Sequence, residues 1–405
     1  MTKTPAIIVA AYNRPESLKR ALNSVARASY NGYCNITLVI SIDGGGSNNI
    51  LVREVANEFA WALGEKKIIA HKKNIGLREH ILSCGDLTDV YENIILIEED
   101  CYVSRNFYRF AEKALAFYNA ENSIAGISLY AHSYYEAAAM PFQPLCDGYD
   151  VYFMQVPSSW GQAWTKEQWK RFRNYHNSSP KISLNDCIPE TVKRWPESSW
   201  KKYFYKYMAN NNLFIVYPHC SFSTNFGDEG THETSATDLF QVNLENAINF
   251  AEYSFAPFPE SCNKYDSYSE ILPECLIALG ADIDADTCVD LSGGKPLHLF
   301  KNKYAISAKD CTAGIRTFSA RLLPPALNII HNFNGSFFNY AQIKNFINFP
   351  KNKRYELVLK QNALAYLAGK HSVITGKYYK LGYYMLNPIK LVGYIYRLAS
   401  GHKKQ

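Results

Sequence analysis

Three carboxylates stand in a row at Glu98-Glu99-Asp100, directly after the apolar run 94–97. Adjacent negative charges repel each other unless a cation or hydrogen-bond donors compensate them. A hard divalent cation held by one or two carboxylates and by substrate phosphates is one compensation. Such an ion would neutralise a diphosphate leaving group as a Lewis acid. A solvated acidic turn is the alternative. Asp43 closes a second apolar run, 38–42, and precedes three glycines. Its carboxylate can accept hydrogen bonds from a nucleobase or ribose, and the glycines let a ligand approach the backbone; a plain Asp-Gly turn is the other option. Arg14 lies in the turn after the first apolar run, where a guanidinium can pair with phosphate or form a surface salt bridge.

Residues 1–130 alternate strand and helix signals that would carry these groups. Strands are predicted at 5–11, 36–42, 67–71 and 93–97. Helices are predicted at 16–28, with Leu18, Ala21, Leu22 and Val25 on one face, and at 49–64, 77–87 and 104–118. Repeated strand–helix units imply a largely parallel sheet covered by helices, and ligands of such sheets sit beyond the carboxyl ends of the strands. Residues 131–265 are less regular and hold Trp160, Trp164, Trp169, Trp195 and Trp200. Residues 266–345 read as a small mixed region with turns at Ser292-Gly293-Gly294 and Pro324-Pro325. Residues 346–405 read as mainly helical. The expected division is therefore a catalytic domain at 1–265 (donor half 1–130, acceptor half 131–265), an accessory region at 266–345 and a C-terminal region at 346–405.

Taken in order, residues 7–15 (IIVAAYNRP), Ile42-Asp43, Asn74-Ile75-Gly76-Leu77 and Ile97-Glu98-Glu99-Asp100 with Val103-Ser104 resemble the nucleotide-binding half of GT-A glycosyltransferases. The similarity is to glycosyltransferase family 2 and the family 13 N-acetylglucosaminyltransferases. It implies an α/β, Rossmann-like, mostly parallel sheet. It also implies that Asp100 ligates Mn²⁺ or Mg²⁺ in the manner of the DXD motif, with Glu99 facing the ribose or donor sugar. Ala11, Tyr12, Arg14, Asp43, Asn74, Gly76, Leu77 and Glu98 would line the site of a UDP-sugar donor. The resemblance extends to Trp160-Gly161, which shapes the acceptor side in related bacterial transferases, and to residues 225–232, a loop ending in Thr231-His232 that can fold over the donor. In all it covers roughly residues 5–235. Tryptophan packing in the core is the plainer alternative, favoured for Trp169 over Trp160 and Trp164, and His232 reads equally as a hydrogen-bonded turn residue.

One position departs from the pattern. An inverting transferase needs a carboxylate to take the acceptor's proton, and relatives place an Asp just after a Trp. Here that place reads Trp200-Lys201-Lys202. Glu197 and Asp228 are the substitute candidates. Two other function classes stay in play: a nucleotidyltransferase, disfavoured because Tyr12-Asn13-Arg14-Pro15 lacks a glycine-rich basic loop, and a non-catalytic glycan- or membrane-binding relative.

Bulk composition bounds the rest. The 405 residues are 47% hydrophobic and 20% charged, as expected of a chain that buries a real core. The ten cysteines have no zinc spacing, which suggests reduced thiols in a cytoplasmic protein. The apolar run 6–11 is too short for a signal peptide, and no run reaches the roughly 18 residues of a membrane span. Charge is segregated: residues 311–405 carry fourteen Lys/Arg against Glu356 alone, so a net +13 there leaves −7 for residues 1–310 within the total of +6. Basic segments rich in Tyr and Leu, from Tyr378 to Leu398, suit a membrane headgroup layer. A polyprenyl-linked or glycan acceptor at the inner face of a bacterial membrane would explain that tail, and surface polysaccharide synthesis would be its setting. No nucleic-acid module is present, so no nucleic-acid partner is expected.

Overall fold

A computed structural model of the chain describes residues 4–347, apart from 139, 179, 230–235 and 249–251. All but the first two residues of the basic C-terminal region, and His232 with its loop tip, lie outside the described residues.

The first half alternates as its sequence pattern dictates. Its elements are β1 (Ala6–Ala11), α1 (Pro15–Ala26), β2 (Leu38–Ile42), α2 (Asn49–Glu58), β3 (Lys66–Ala70), α3 (Leu77–Gly85), the short α4 (Thr88–Tyr91), β4 (Asn93–Glu98), β5 (Cys101–Val103), α5 (Phe107–Phe117) and β6 (Ile124–Ser128). Every residue of β1 and β2 is buried, which is why these strands are uninterrupted apolar runs rather than alternating ones. Helix α1 starts on Pro15, where the missing N–H costs nothing, and buries Leu18, Ala21, Leu22 and Val25. Helix α2 stops at Glu58, short of the predicted residue 64. Phe59 turns extended (φ −63°, ψ 124°), and Trp61 Nε1 donates to the Ile36 carbonyl at 2.7 Å. Phe59, Trp61 and Leu63 then strap the core instead of continuing the helix.

The second half is more ordered than its sequence suggests. A two-strand ribbon, β7 (Tyr134–Tyr135) and β8 (Met140–Pro141), precedes β9 (Val151–Met154), β10 (Gln162–Thr165), α6 (Lys166–Asn177), α7 (Glu190–Lys193), α8 (Trp200–Asn211), β11 (Phe214–Pro218), β12 (Ser223–Asn225) and β13 (Lys264–Tyr265). The main sheet has nine strands in the order β13-β9-β11-β6-β10-β4-β1-β2-β3. Strands β3, β2, β1, β4, β6 and β11 run one way; β10 is inserted antiparallel between β4 and β6, and β9 and β13 also run the other way. The mostly parallel α/β architecture expected from the sequence is thus observed. Its order reverses at β1, with β2 on one side and β4 on the other. That is the switch point where such sheets open a ligand crevice.

Residues 266–345 hold α9 (Pro273–Ala278), β14 (Thr287–Asp290), β15 (Tyr304–Ser307), β16 (Arg316–Phe318), α10 (Ala326–Ile330) and β17 (Phe338–Gln342). Four of these elements form a separate mixed sheet, β14-β15-β17-β16. Among the described residues, no helix is long and apolar enough to cross a membrane, and the ten cysteines are free thiols.

Candidate functional site

Register brings the chemistry-bearing residues to one edge. Ala10 pairs with Glu98 across β1 and β4, and Ala11 with Ile42 across β1 and β2. The residues following these strands, Tyr12 to Arg14, Asp43 and Glu99-Asp100, therefore emerge together beyond the carboxyl ends. Each fully buried Ile or Val in these strands contributes on the order of 1.5–3 kcal/mol, and a slip by one residue would reverse its face.

The three carboxylates have separate fates. Glu99 is buried; its Oε2 accepts from the Tyr12 N–H at 2.6 Å and its Oε1 from Arg14 Nε at 2.7 Å. Arg14 Nη2 also reaches Asp100 Oδ2 at 3.1 Å. Arg14 is therefore committed to the acidic pair: its charge, disfavoured by burial, is more than restored by Asp100 and Glu99. Arg14, expected to meet a phosphate, directs Nε and Nη2 at the acidic pair. Glu99, expected to face the ribose or donor sugar, has one protein donor on each oxygen. Burial raises the Glu99 carboxyl despite Arg14. Glu98 differs: burial, with Asp100 adding to it, pushes its carboxyl up to about 8, against the pull of Lys201 and Arg14. No ion pair to Glu98 is found among the described residues.

Asp43 anchors a loop. Its Oδ1 accepts from the N–H of Gly44 at 2.8 Å and of Ile75 at 2.9 Å, and its Oδ2 from that of Gly76 at 3.1 Å. Asn49 Nδ2 donates to the Asp43 carbonyl at 2.8 Å, and the Asp43 N–H donates to the Ala11 carbonyl at 2.9 Å. Two of the glycines after Asp43 are required by the chain itself. A Cβ on Gly44 would lie 2.5 Å from the Lys73 backbone, and Gly46 (φ +85°) has the Asn13 side chain against it. Asn74 Nδ2 donates to the Tyr12 hydroxyl at 2.9 Å, which ties the loop before α3 to the turn after β1. Leu77, the first residue of α3, is exposed at the rim. Sequence reasoning missed His80, which is buried beside Ser41 (Nε2 to Oγ 2.9 Å) and held down to about 4 by burial, against Asp43.

Strand β12 pairs antiparallel with β5, Asn225 opposite Cys101, and the Phe226 N–H donates to the Asp100 carbonyl at 2.7 Å. The loop 225–229 is thereby set beside the carboxylates. Asp228 Oδ2 accepts from Ser17 Oγ at 2.7 Å and from Arg20, whose guanidinium lies over the Phe226 ring. Both bonds fall on Oδ2. Glu197 is placed less well for a base. Its side chain is 74% exposed, bonds to Lys202 Nζ at 2.7 Å and to the Tyr203 hydroxyl, and is thereby held below the usual carboxylate range.

The Trp-Gly segment is part of the sheet. Trp164 lies in β10 and is fully buried against Trp169, which corrects the expectation that it was less of a core residue than Trp169. Trp160 is half-buried, with Tyr130 and Phe240 centroids 4.8 and 4.9 Å away. Gly161 (φ +90°) is where a Cβ would strike Ser223 Oγ. A shallow cleft opens beside Trp160.

A resident cation would find one suitable carboxylate. Asp100 Oδ1 has a thiol, Cys101 Sγ at 3.8 Å, as its recorded protein partner. No group of three or more His, Cys, Asp or Glu suited to a metal occurs among the described residues. That donor set fits a hard ion held by one carboxylate together with substrate phosphates and water, as Mg²⁺ or Mn²⁺ can be, and not an all-protein cage.

No protein-family model matches the chain, and no curated protein matches it. Solved structures do. A mannosyltransferase from Pyrobaculum calidifontis in complex with GDP-Man and Mn²⁺ matches at 12% identity and TM-score 0.30, over 42% of this chain and 47% of its own. TarS 1–349 of S. aureus in complex with UDP-GlcNAc matches at 12% identity and TM-score 0.35, over 57% and 61%. A cytidylyltransferase from Leptospira borgpetersenii matches at 9% identity and TM-score 0.29, over 52% and 72%. The chain thus spans about half of the first structure's length and under two thirds of the second's. Superpositions this loose do not bear on what the chain does.

Proposed function

We propose that this chain is a glycosyltransferase that moves a sugar from a nucleoside-diphosphate donor, a UDP-sugar by resemblance, to a glycan or lipid-linked acceptor. One observation carries the proposal: the carboxylate triplet emerges at the β1/β4 switch point, beside Asp43 and the Tyr12 turn, with one oxygen of Asp100 lacking a nitrogen or oxygen partner. In this reading a nucleoside would lie between the Asp43-anchored loop and β1, with its diphosphate over Asp100. Asp100 would hold a divalent cation, which when bound supplies charge neutralisation for the departing diphosphate. The chain's own residues do the rest. Arg14 ties Glu99 and Asp100 together and fixes them in place, Asp43 preorganises the loop of Asn74 and Gly76, and the 225–229 loop flanks the reacting end. For the base, Asp228 is preferred over Glu197: its loop adjoins Asp100 and its Oδ1 is not drawn into the Arg20 pair. Asp228→Asn should lower kcat by about 10²–10⁴-fold with little change in KM.

Inverting stereochemistry, a peripheral seat at the inner membrane face through the basic tail, and a role in surface polysaccharide synthesis belong to the same proposal. They are supported by the family resemblance and by the charge of residues 311–405. The test is a panel of nucleotide sugars assayed with Mn²⁺ or Mg²⁺ and with glycan and polyprenyl-linked acceptors. Release of a nucleoside diphosphate supports transfer, whereas release of pyrophosphate from a triphosphate would point to nucleotidyl transfer instead.

A further inference from the structure

The cleft beside Trp160 has a composition that the donor site does not explain. It is lined by His132, Glu136, Ser158, Trp160, Trp195 and Lys201, among others. Lys201 Nζ sits 5.0 Å from the Trp195 ring centroid and 5.8 Å from that of Trp160. Among the described residues it has no carboxylate within ion-pair distance, while the neighbouring Lys202 turns inward to Glu197 and the Trp195 carbonyl. The His132 Nε2 atom is buried with no hydrogen-bond partner. Burial, then the charge of Lys201, hold this imidazole down to about 4, so it is neutral at neutral pH. Glu136 lies at the exposed lip, and Glu98 feels Lys201 from the donor side.

Indole faces receive the C–H faces of sugar rings, and a lysine ammonium offers a point charge to an anion. A cation half-withdrawn from water over aromatic rings, without a paired carboxylate, gains most from a ligand that brings one. A buried imidazole nitrogen without a partner likewise gains a bond from a ligand hydroxyl. We propose that this cleft binds an anionic saccharide unit, with the ring against Trp195 and Trp160 and its carboxylate or phosphate on Lys201. That it serves as the acceptor subsite rests on the glycosyltransferase proposal above; the binding itself does not. Lys201 is then the residue that selects for charge.

The experiment uses the full chain and quenching of tryptophan fluorescence, with saturation-transfer NMR as a second readout. The probes are methyl glucuronide, glucose 6-phosphate, methyl glucoside and inorganic phosphate. The expected result is that one of the two anionic sugars binds about tenfold more tightly than methyl glucoside. Lys201→Met should remove that preference and Lys201→Arg retain most of it, while Trp195→Ala weakens every sugar. Whichever of glucuronide and sugar phosphate wins identifies the anion. Equal binding of charged and neutral sugars, binding unaffected by Lys201→Met in a folded protein, inorganic phosphate competing as well as the best sugar, or no binding at all would overturn the inference. Asp100→Ala is the control that separates the two proposals. It should lose the response to UDP with Mn²⁺ and keep the Lys201-dependent sugar preference. No such preference in a wild type that binds UDP with Mn²⁺ refutes only the cleft, and an Asp100→Ala variant that keeps both responses refutes only the donor site.

Discussion

Around the carboxyl end of β4, two of three carboxylates, Glu99 and Asp100, share a single guanidinium, and Glu98 has no ion pair among the described residues. In the small-sheet region, three carboxylates are fully served. Asp290 accepts from Lys309 Nζ at 2.6 Å, Ser307 Oγ at 2.7 Å and the Lys295 N–H at 2.8 Å. Glu270 accepts from the N–H groups of Leu291 at 2.9 Å and Ser292 at 2.7 Å. Asp266 pairs with Lys295, and its Oδ1 accepts from the Tyr268 N–H at 2.8 Å. Both clusters are buried and both contain a carboxyl raised by burial, Glu98 to about 8 and Glu270 to about 7. They differ in who supplies the compensation. The small sheet closes its charges internally and so holds a fold together. The β4 cluster leaves charge for something else to close, which is what a cation-and-phosphate site requires.

That contrast has consequences of graded size. The largest falls on the closed cluster. Asp290 is completely buried, so Asp290→Ala takes away the carboxylate that faces Lys309 Nζ, Ser307 Oγ and the Lys295 N–H and should cost about 3–5 kcal/mol in urea unfolding. Donor binding would fail only through unfolding. Arg14→Met at the open cluster leaves Glu99 with the Tyr12 N–H alone and should cost roughly 2–3 kcal/mol, with divalent-cation affinity altered as well. The pH response comes next. Glu98 has its folded pKa above the unfolded value, so the native state keeps a proton that the unfolded state loses. Its contribution is full below about pH 4.5 and is lost as pH rises through about 8. Relative to Glu98→Gln, the wild type should therefore lose on the order of 2 kcal/mol between pH 5 and pH 9 in metal-free buffer; a flat difference would place Glu98 in water. The smallest effect belongs to Glu197. Its exposed pairing with Lys202 should be worth roughly 0–1 kcal/mol, and Glu197→Gln should leave turnover within about twofold, because a carboxylate held low by neighbouring donors is a weak base.

Much of this was legible in the chain, for a physical reason. Buried parallel strands must be apolar throughout, so β1, β2 and β4 announce themselves, and their polar ends mark the ligand edge. Pro15 marks the start of α1. What the sequence hid depends on contacts distant in the chain. The antiparallel β10 has only four residues, so no periodicity distinguishes it from a loop, and with it went the burial of Trp164. Arg14 offered a charge suited to phosphate, but whether that charge is spent on Glu99 and Asp100 depends on residues some 85 positions away. Lys201 looked like a defect where an aspartate was expected; only the indoles of Trp160 and Trp195 around it suggest a use.

The decisive measurement is the thermal stability of the full chain with UDP and Mn²⁺ together, compared between wild type and Asp100→Ala. Ligand at about 100 times its dissociation constant should stabilise the wild type by about 2.7 kcal/mol, a rise of several degrees or less for a chain of this size. The variant should melt within a degree of the wild-type apoprotein and show no rise when the two ligands are added. An undiminished rise in Asp100→Ala would contradict a donor site built on the β4 carboxylates.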